Sequence, residues 1–191
     1  MIGTAGNLSV RAGDAVVVTP TGCVLSEVAE DEMSVVALDG SVRSGQPTSE
    51  LGLHLGVYGS MEWAGAVVHT HSPMATAVGC VLDELPAIHY QMLSLGGSVR
   101  VAPYATFGSD ELHANVLEAL EGHTAALMQN HGTLTCGHTL DAAVEATFLL
   151  EWACQLYWDA KQLGEPSVLS DEQLADVAAQ VQRLGYGGGG G

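Results

Sequence analysis

The sequence predicts an α/β protein in which one central sheet carries helices on both faces, giving a three-layer α/β/α fold. Short apolar runs of β-type residues end at turn residues, and stretches with apolar residues at helical spacing begin at capping residues. Strict strand–helix alternation is absent, which favours a sheet covered on both sides. With 191 residues and no internal repeat, we expect a single domain over residues 1–186 and a flexible glycine tail at 187–191.

Five strands are predicted, because each of five apolar runs is too short for a helix and is bounded by polar or turn residues. The clearest stop is the turn Thr19-Pro20-Thr21-Gly22, which follows the second run. The predicted strands cover residues 7–11, 15–18, 34–38, 64–70 and 125–129.

Five helices are predicted from helical spacing together with start and stop signals. A serine at the N-cap position precedes four of them, namely Ser49, Ser72, Ser109 and Ser170. Pro73 suits the first turn of the second helix, and Gly164 ends the longest one. The predicted helices cover residues 50–61, 73–82, 110–121, 140–163 and 171–184.

The charge balance excludes some classes of partner. The chain has 22 Asp and Glu against 5 Lys and Arg, a net charge of −17 that is shared by both halves. Such a field repels phosphate backbones and anionic lipids, so we expect no nucleic-acid partner and no membrane partner. No apolar stretch is long enough to span a bilayer, and no secretory leader is visible. The four cysteines form no CxxC pair, which suits reduced thiols, and we expect a cytoplasmic location.

Two histidines separated by one residue, His69 and His71, stand at the end of the predicted strand 64–70. Because strand side chains alternate, His69 and His71 should leave the same face of the sheet. His131 stands in the same context, just after the predicted strand 125–129. Three imidazole ligands leave one coordination position open, as in catalytic zinc sites. The alternative is that each histidine simply bonds to a buried neighbour. For the other five histidines we expect ordinary surface or core roles.

Several neutral donors could bind an anion. The segments Gly6-Asn7-Leu8-Ser9 and Thr19-Pro20-Thr21-Gly22 present N–H groups and hydroxyls at turns, and Thr48-Ser49 precedes a predicted helix. Helix N-termini and turns of this kind bind phosphate without arginine. Taken singly, each segment is also an ordinary turn or cap.

Five short segments occur in an order and spacing typical of one family. They are Gly6-Asn7-Leu8-Ser9-Val10-Arg11, Thr19-Pro20-Thr21-Gly22, Thr48-Ser49-Glu50, His69-Thr70-His71-Ser72-Pro73 and Asn130-His131-Gly132. They resemble the class II aldolase/adducin family, whose fold implies a mixed, mostly antiparallel central sheet. Residues 87–90 and 102–108 are most similar to bacterial L-fuculose-phosphate aldolases.

The resemblance implies a role for each matching residue. His69, His71 and His131 would bind one Zn²⁺ per subunit, and Glu50 would be the catalytic carboxylate that can also reach the metal. Tyr90 would be a proton donor at an active site shared between subunits of a C4 homotetramer, and Phe107 an aromatic residue beside the aldehyde. The substrate phosphate would lie among Gly6, Asn7, Thr21, Gly22, Thr48 and Ser49.

The resemblance also implies the reaction. We expect a metal-dependent aldehyde-lyase that cleaves a ketose 1-phosphate, such as L-fuculose 1-phosphate, to dihydroxyacetone phosphate and a short aldehyde such as L-lactaldehyde. A first alternative keeps the scaffold but makes it a pentulose 5-phosphate 4-epimerase or a methylthioribulose-phosphate dehydratase. A second alternative is a non-catalytic, adducin-like assembly module. Family epimerases tend to carry aspartate at the position of Glu50, and adducin-like members lose the histidines, so this sequence favours the aldolase.

Overall fold

A computed structural model describes residues 3–185 as a nine-stranded sheet with helices on both faces. The strands are β1 (Asn7–Ala12), β2 (Ala15–Val18), β3 (Ser34–Ala37), β4 (Val42–Ser44), β5 (Ala66–Thr70), β6 (Glu84–Leu85), β7 (Val99–Ala102), β8 (Ala125–Met128) and β9 (Gly132–Gly137). Their order is β4-β3-β2-β1-β5-β9-β8-β7-β6. Only the β7–β8 pair is parallel among these strands, so the predicted mixed, mostly antiparallel sheet is confirmed.

Helices cover both faces of this sheet. They are α1 (Leu51–Ser60), α2 (Pro73–Gly79), α3 (Asp110–Ala119), α4 (Leu140–Leu163) and α5 (Asp171–Leu184), with short 3₁₀ helices at Glu30–Glu32 and Tyr90–Leu95. Helices α1 and α3 pack on one face, and α2 and α4 pack on the other. The three predicted layers are therefore confirmed. No helix in residues 3–185 is long and apolar enough to cross a membrane.

Strand β8 shows how the sequence divides the core between the two faces. All four of its residues are buried, and they alternate in direction. Ala126 and Met128 pack with α1 and α3, whereas Ala125 and Leu127 pack with α2 and α4. A continuous apolar run is what a strand covered on both sides requires.

Several predicted boundaries are wrong. Helix α1 begins at Leu51 with Glu50, not Ser49, at the N-cap position, and α2 ends at Gly79 rather than at residue 82. Four strands were not predicted: β4, β6, β7 and the central strand β9. Strand β9 reads Gly-Thr-Leu-Thr-Cys-Gly, and its terminal glycines look like turn signals although every residue is buried. Tyr186 and the predicted tail at 187–191 lie outside the described residues.

The predicted N-caps differ in how they work. Ser109 and Ser170 accept hydrogen bonds from the N–H groups of Leu112 and Gln173, as expected. The Ser72 side chain makes no such bond. Instead, the half-buried Glu151 carboxylate on α4 accepts from the N–H groups of Met74 and Ala75, at 3.0 and 2.8 Å. A carboxylate at this position also interacts favourably with the helix dipole.

Replacing Glu151 with alanine should therefore destabilise the protein, because two N–H groups at the start of α2 lose their acceptor. We expect the free energy of unfolding in urea to fall by about 1–2 kcal/mol. Glu145→Ala is the control, because it removes the same charge from an exposed position on α4. Its free energy of unfolding should stay within about 0.5 kcal/mol of wild type. Equal effects of the two substitutions would contradict this capping role.

Candidate metal centre and active-site pocket

Three imidazoles converge at one end of the β5–β9 pair. His69 is the fourth residue of β5, His71 follows the end of that strand, and His131 lies in the turn between β8 and β9. Their ligand nitrogens all lie within 4.8 Å of one another. The ring centroids are 4.9–5.0 Å apart, and the ring planes are inclined by 73–81°. The convergence that the sequence predicts is thus observed, and the cluster could hold a metal ion.

The β8–β9 hairpin determines where His131 lies. Met128 pairs with Gly132, so the intervening turn has three residues, and Asn130 takes a left-handed conformation with φ 54°. Three-residue hairpin turns commonly place one residue in this region, and asparagine tolerates it better than most. The His131 N–H donates to the Met128 carbonyl oxygen at 3.1 Å. The imidazole is therefore attached to a short, hydrogen-bonded turn.

Gly132 allows the two histidine-bearing segments to approach closely. A Cβ atom at this position would lie 2.4 Å from the Thr70 carbonyl oxygen and 2.9 Å from Cδ2 of His71. It would also lie 3.3 Å from Cε1 of His69. Only glycine fits here without moving the backbone of β5.

A second contact orients His69. Its Nδ1 lies 2.8 Å from the carbonyl oxygen of Thr133, and because a carbonyl only accepts, Nδ1 carries the proton. In the neutral ring, the lone pair of Nε2 then faces the other histidines, with Nε2 of His71 at 3.0 Å. This is the usual arrangement around a metal-binding histidine, whose second nitrogen donates to a carbonyl or carboxylate.

The Glu50 carboxylate completes the cluster. Oε2 lies 3.2 Å from Nε2 of His69 and accepts a hydrogen bond from Nδ2 of Asn7 at 3.0 Å. Oε1 lies 3.4 Å from Nε2 of His131 and is buried without a hydrogen-bond partner among the described residues. A divalent metal would pair with this buried carboxylate oxygen and with the imidazole nitrogens beside it, so these four residues fit such an ion.

Burial influences the protonation of these groups. It lowers the pKa of His131 to about 4 and also lowers the pKa of His71, and the proximity of His69 acts in the same direction. Burial alone would raise the pKa of Glu50, but the adjacent His69 ring and the hydrogen bond from Asn7 hold that pKa below its ordinary value. At neutral pH, His71 and His131 are therefore neutral and Glu50 is ionised, which are the forms that bind metals.

One cavity of about 460 Å³ lies against this cluster. It brings together all the residues predicted to bind phosphate and most of the others predicted for the site, which are Gly6, Asn7, Thr21, Gly22, Thr48, Ser49, Glu50, His71, Phe107 and His131. No lysine or arginine of residues 3–185 is among its lining residues. An anion in this cavity would therefore bind to neutral donors.

The two loops that hold the predicted phosphate pocket are joined by backbone hydrogen bonds. The N–H of Thr21 donates to the carbonyl oxygen of Gln46 at 3.0 Å, and the N–H of Thr48 donates to the carbonyl oxygen of Thr19 at 3.1 Å. These two amides are thus unable to serve an anion, but the threonine hydroxyls can. The hydroxyl oxygen of Thr48 accepts from the N–H of Glu50 at 3.3 Å, which leaves its own proton free.

Tyr90 does not line this cavity. It is more than half exposed at the start of the 3₁₀ helix, beside His89, whose ring contacts Trp152. Its role at a site shared between subunits stays a prediction. Conversely, Tyr104 and Asn130 line the cavity although the sequence did not single them out as site residues. Asn130 could have been suspected from its place beside His131, and Tyr104 from its place in the segment 102–108 that carries part of the resemblance.

The fold and the four-residue cluster define a three-layer α/β protein in which three histidines and a glutamate, a group that could hold a divalent metal, lie beside a polar cavity. The family model of the class II aldolase and adducin N-terminal domain matches residues 1–158. The chain therefore belongs to the class II aldolase and adducin family, as the sequence motifs predicted.

Individual relatives are similar over nearly the whole chain. The 5-methylthioribulose-1-phosphate/5-deoxyribulose-1-phosphate aldolase of Rhodospirillum rubrum is 36% identical, over 96% of this chain and 84% of its own. The L-fuculose phosphate aldolase of Escherichia coli K12 is 39% identical, over 96% and 86%. A solved structure of an L-fuculose 1-phosphate aldolase superposes with a TM-score of 0.91 at 36% identity, covering 95% and 88% of the two chains. Because these relatives are aldolases, the predicted class of enzyme, an aldehyde-lyase of class II, is confirmed.

Proposed function

We propose that this chain is a zinc-dependent aldolase that cleaves a ketose 1-phosphate to dihydroxyacetone phosphate and a short aldehyde. The observation that carries the proposal is the single cavity that joins the histidine cluster and Glu50 to the neutral donors of the predicted phosphate pocket. The same cluster disfavours the adducin-like alternative, because a non-catalytic module has no need of a buried carboxylate beside three imidazoles.

The reaction needs three contributions from the site. A bound Zn²⁺ would act as a Lewis acid toward the negative charge that develops on the substrate oxygens. Cleavage breaks the C3–C4 bond, leaves its electron pair on the C3 side and moves one proton, in sum, from the C4 hydroxyl to C3. We assign the C3 proton to Glu50 and the hydroxyl proton to Tyr90 of a neighbouring subunit. Thr48, Ser49 and Thr21 bind the phosphate, which aligns the substrate with these groups.

The substrate class follows from the part of the substrate that the relatives share. The names of these relatives give 5-methylthioribulose 1-phosphate, 5-deoxyribulose 1-phosphate and L-fuculose 1-phosphate as substrates. All three are ketose 1-phosphates. Cleavage of any ketose 1-phosphate between C3 and C4 leaves the same three-carbon phosphate, so only the aldehyde differs. We propose L-fuculose 1-phosphate as the preferred substrate, with 5-methylthioribulose and 5-deoxyribulose 1-phosphates as competitors.

The test is a screen of these three sugar phosphates against zinc-loaded protein. We expect dihydroxyacetone phosphate to be released, detected by a coupled NADH assay, and the release to stop when the metal is removed by a chelator. Conversion of a pentulose 5-phosphate to its 4-epimer, or loss of water from methylthioribulose phosphate, without triose release would instead support the alternative reactions. Zinc-loaded protein that changes none of these compounds would contradict the proposal.

We further propose that the chain forms a C4 homotetramer in which Tyr90 completes the site of the next subunit. Tyr90 of the 3₁₀ helix and Trp152 of α4 both lie against the His89 ring and are exposed, as is Phe148 one helical turn before Trp152. These exposed aromatic side chains favour an interface there.

Complementation between two inactive variants would test this assembly. Glu50→Gln and Tyr90→Phe, each inactive alone, should regain activity when co-expressed. Each position is intact in half of the subunits, so about one quarter of the shared sites carry both groups. No recovery in a mixed oligomer that contains both chains would show that Tyr90 does not act across subunits.

A further inference from the structure

A buried chain of hydrogen bonds leads from Glu50 into the core. Asn7 Nδ2 lies 3.0 Å from Oε2 of Glu50, and Asn7 Oδ1 lies 2.6 Å from Nε2 of His54. Nδ1 of His54 lies 2.7 Å from the Ser9 hydroxyl, which lies 2.8 Å from the Tyr58 hydroxyl. Asn7, Ser9, His54 and Tyr58 are each at most 5% exposed. Their polar atoms must therefore satisfy one another.

The direction of every bond in this chain follows from Glu50. An ionised carboxylate only accepts, so Asn7 must turn its NH₂ group toward Glu50 and its carbonyl oxygen toward His54. That oxygen also only accepts, so Nε2 of His54 carries a proton. Burial lowers the pKa of His54 to about 3, which leaves the ring neutral and Nδ1 without a proton. Nδ1 then accepts from the Ser9 hydroxyl, whose oxygen accepts from Tyr58.

We propose that His54 is a positioning residue, whose Nε2–H fixes the Asn7 amide so that Asn7 Nδ2 holds the Glu50 carboxylate in place. The catalytic part of this inference rests on the proposed function, in which Glu50 moves a proton. The hydrogen-bond direction does not depend on that function.

The placement of Glu50 shows why such a support matters. Glu50 occupies the N-cap position of α1, but its side chain makes no capping bond, and Oε1 has no hydrogen-bond partner among the described residues. Among the described residues, the rings of His69 and His131 face this carboxylate, and only the Asn7 amide donates a hydrogen bond to it. Without the His54 N–H, the Asn7 amide could turn over and place its oxygen against Oε2, so that two acceptors would face each other.

The fold itself builds this support. His54 follows Glu50 by four residues, which is about one helical turn, and Asn7 and Ser9 alternate along β1 and so face the same side of the sheet. The imidazole thus bridges two neighbouring positions of β1 from α1. Alternative roles for a histidine at this position are limited, because it is fully buried and does not reach the cavity.

The first test compares three variants of the zinc-loaded protein. His54→Leu removes the N–H, and we expect kcat to fall by about 10- to 100-fold with KM and zinc content unchanged. His54→Gln places an amide N–H close to the position of Nε2 and should restore kcat to within about threefold of wild type. Tyr58→Phe removes only the far end of the chain, and its kcat should also stay within about threefold.

Other results of this comparison would overturn the proposal. The first is a wild-type kcat in His54→Leu, and the second is a change in that variant of KM or zinc content alone. The third is an equal loss of kcat in all three variants, accompanied by an equal loss of thermal stability. The last result would mark His54 as a core residue whose effect is only structural. If His54→Leu does not fold, His54→Gln and the following measurement still decide.

The second test is independent of activity. In ¹⁵N-histidine-labelled wild-type protein, the His54 resonances, assigned by their absence in His54→Gln, should show a protonated Nε2 and an unprotonated Nδ1 from pH 6 to 8. A proton on Nδ1 would overturn the proposal. If Nε2 carries the proton but the wild-type chain cleaves no ketose 1-phosphate, the proposed function fails and the support of Glu50 by His54 stands.

Discussion

Glu50→Gln is expected to abolish exchange of the C3 proton of dihydroxyacetone phosphate with solvent. The amide keeps the shape of the side chain and can still accept the Asn7 hydrogen bond, but it cannot take up the proton. Loss of a positioned general base costs about 10²- to 10⁴-fold in rate. Zinc content and phosphate affinity should be retained, because the three histidines and the neutral donors of the pocket are unchanged. Exchange is measured by NMR in D₂O with zinc-loaded protein.

Glu62→Gln is the matched control for this experiment. It makes the same chemical change at an exposed position just beyond the end of α1. Exchange should proceed in this variant at the wild-type rate. Persistent exchange in Glu50→Gln would remove Glu50 from proton transfer, and loss of zinc from that variant would show that its main role is to bind the metal.

Gly132→Ala is expected to disrupt the metal centre although it changes no ligand. The added Cβ would lie 2.4 Å from the Thr70 carbonyl oxygen and would also approach the rings of His69 and His71. The backbones of β5 and β9 must separate to relieve this contact, and that motion displaces the imidazoles. We expect zinc affinity to fall by about 10- to 100-fold and the free energy of unfolding to fall by about 1–3 kcal/mol. Competition with a chelator measures the first quantity, and urea titration measures the second.

Gly59→Ala provides the control for the glycine substitution. Gly59 lies in α1, and a Cβ there would meet nothing within 4 Å. Alanine is the better helix former, so this variant should gain about 0.5–1 kcal/mol of stability with unchanged zinc affinity. Wild-type zinc affinity in Gly132→Ala would show that the two strands adjust without moving the histidines.

Local sequence patterns account for much of the fold. The N-caps Ser109 and Ser170 act as predicted because capping depends only on residues three positions apart. The apolar run in β8 indicates a strand that is covered on both faces, as found. Strand β9 was missed because glycine and threonine give it no apolar pattern, and its place in the centre of the sheet depends on pairing with β5 and β8. The prediction that Ser49 caps α1 was wrong, because Glu50 occupies the N-cap position and its side chain points toward the histidines.

The order of the motifs and the two-residue period of a strand were sufficient, in the sequence alone, to assign the family and to predict that His69 and His71 share a face. What only the tertiary structure decided is how distant segments meet: the contact of Asn7 with Glu50, the burial of His54 behind it and the need for glycine at position 132. The reason is physical. A periodic pattern determines the direction of a side chain within its own element, whereas distances between atoms 43 or 47 positions apart in the chain depend on the register and packing of whole strands and helices.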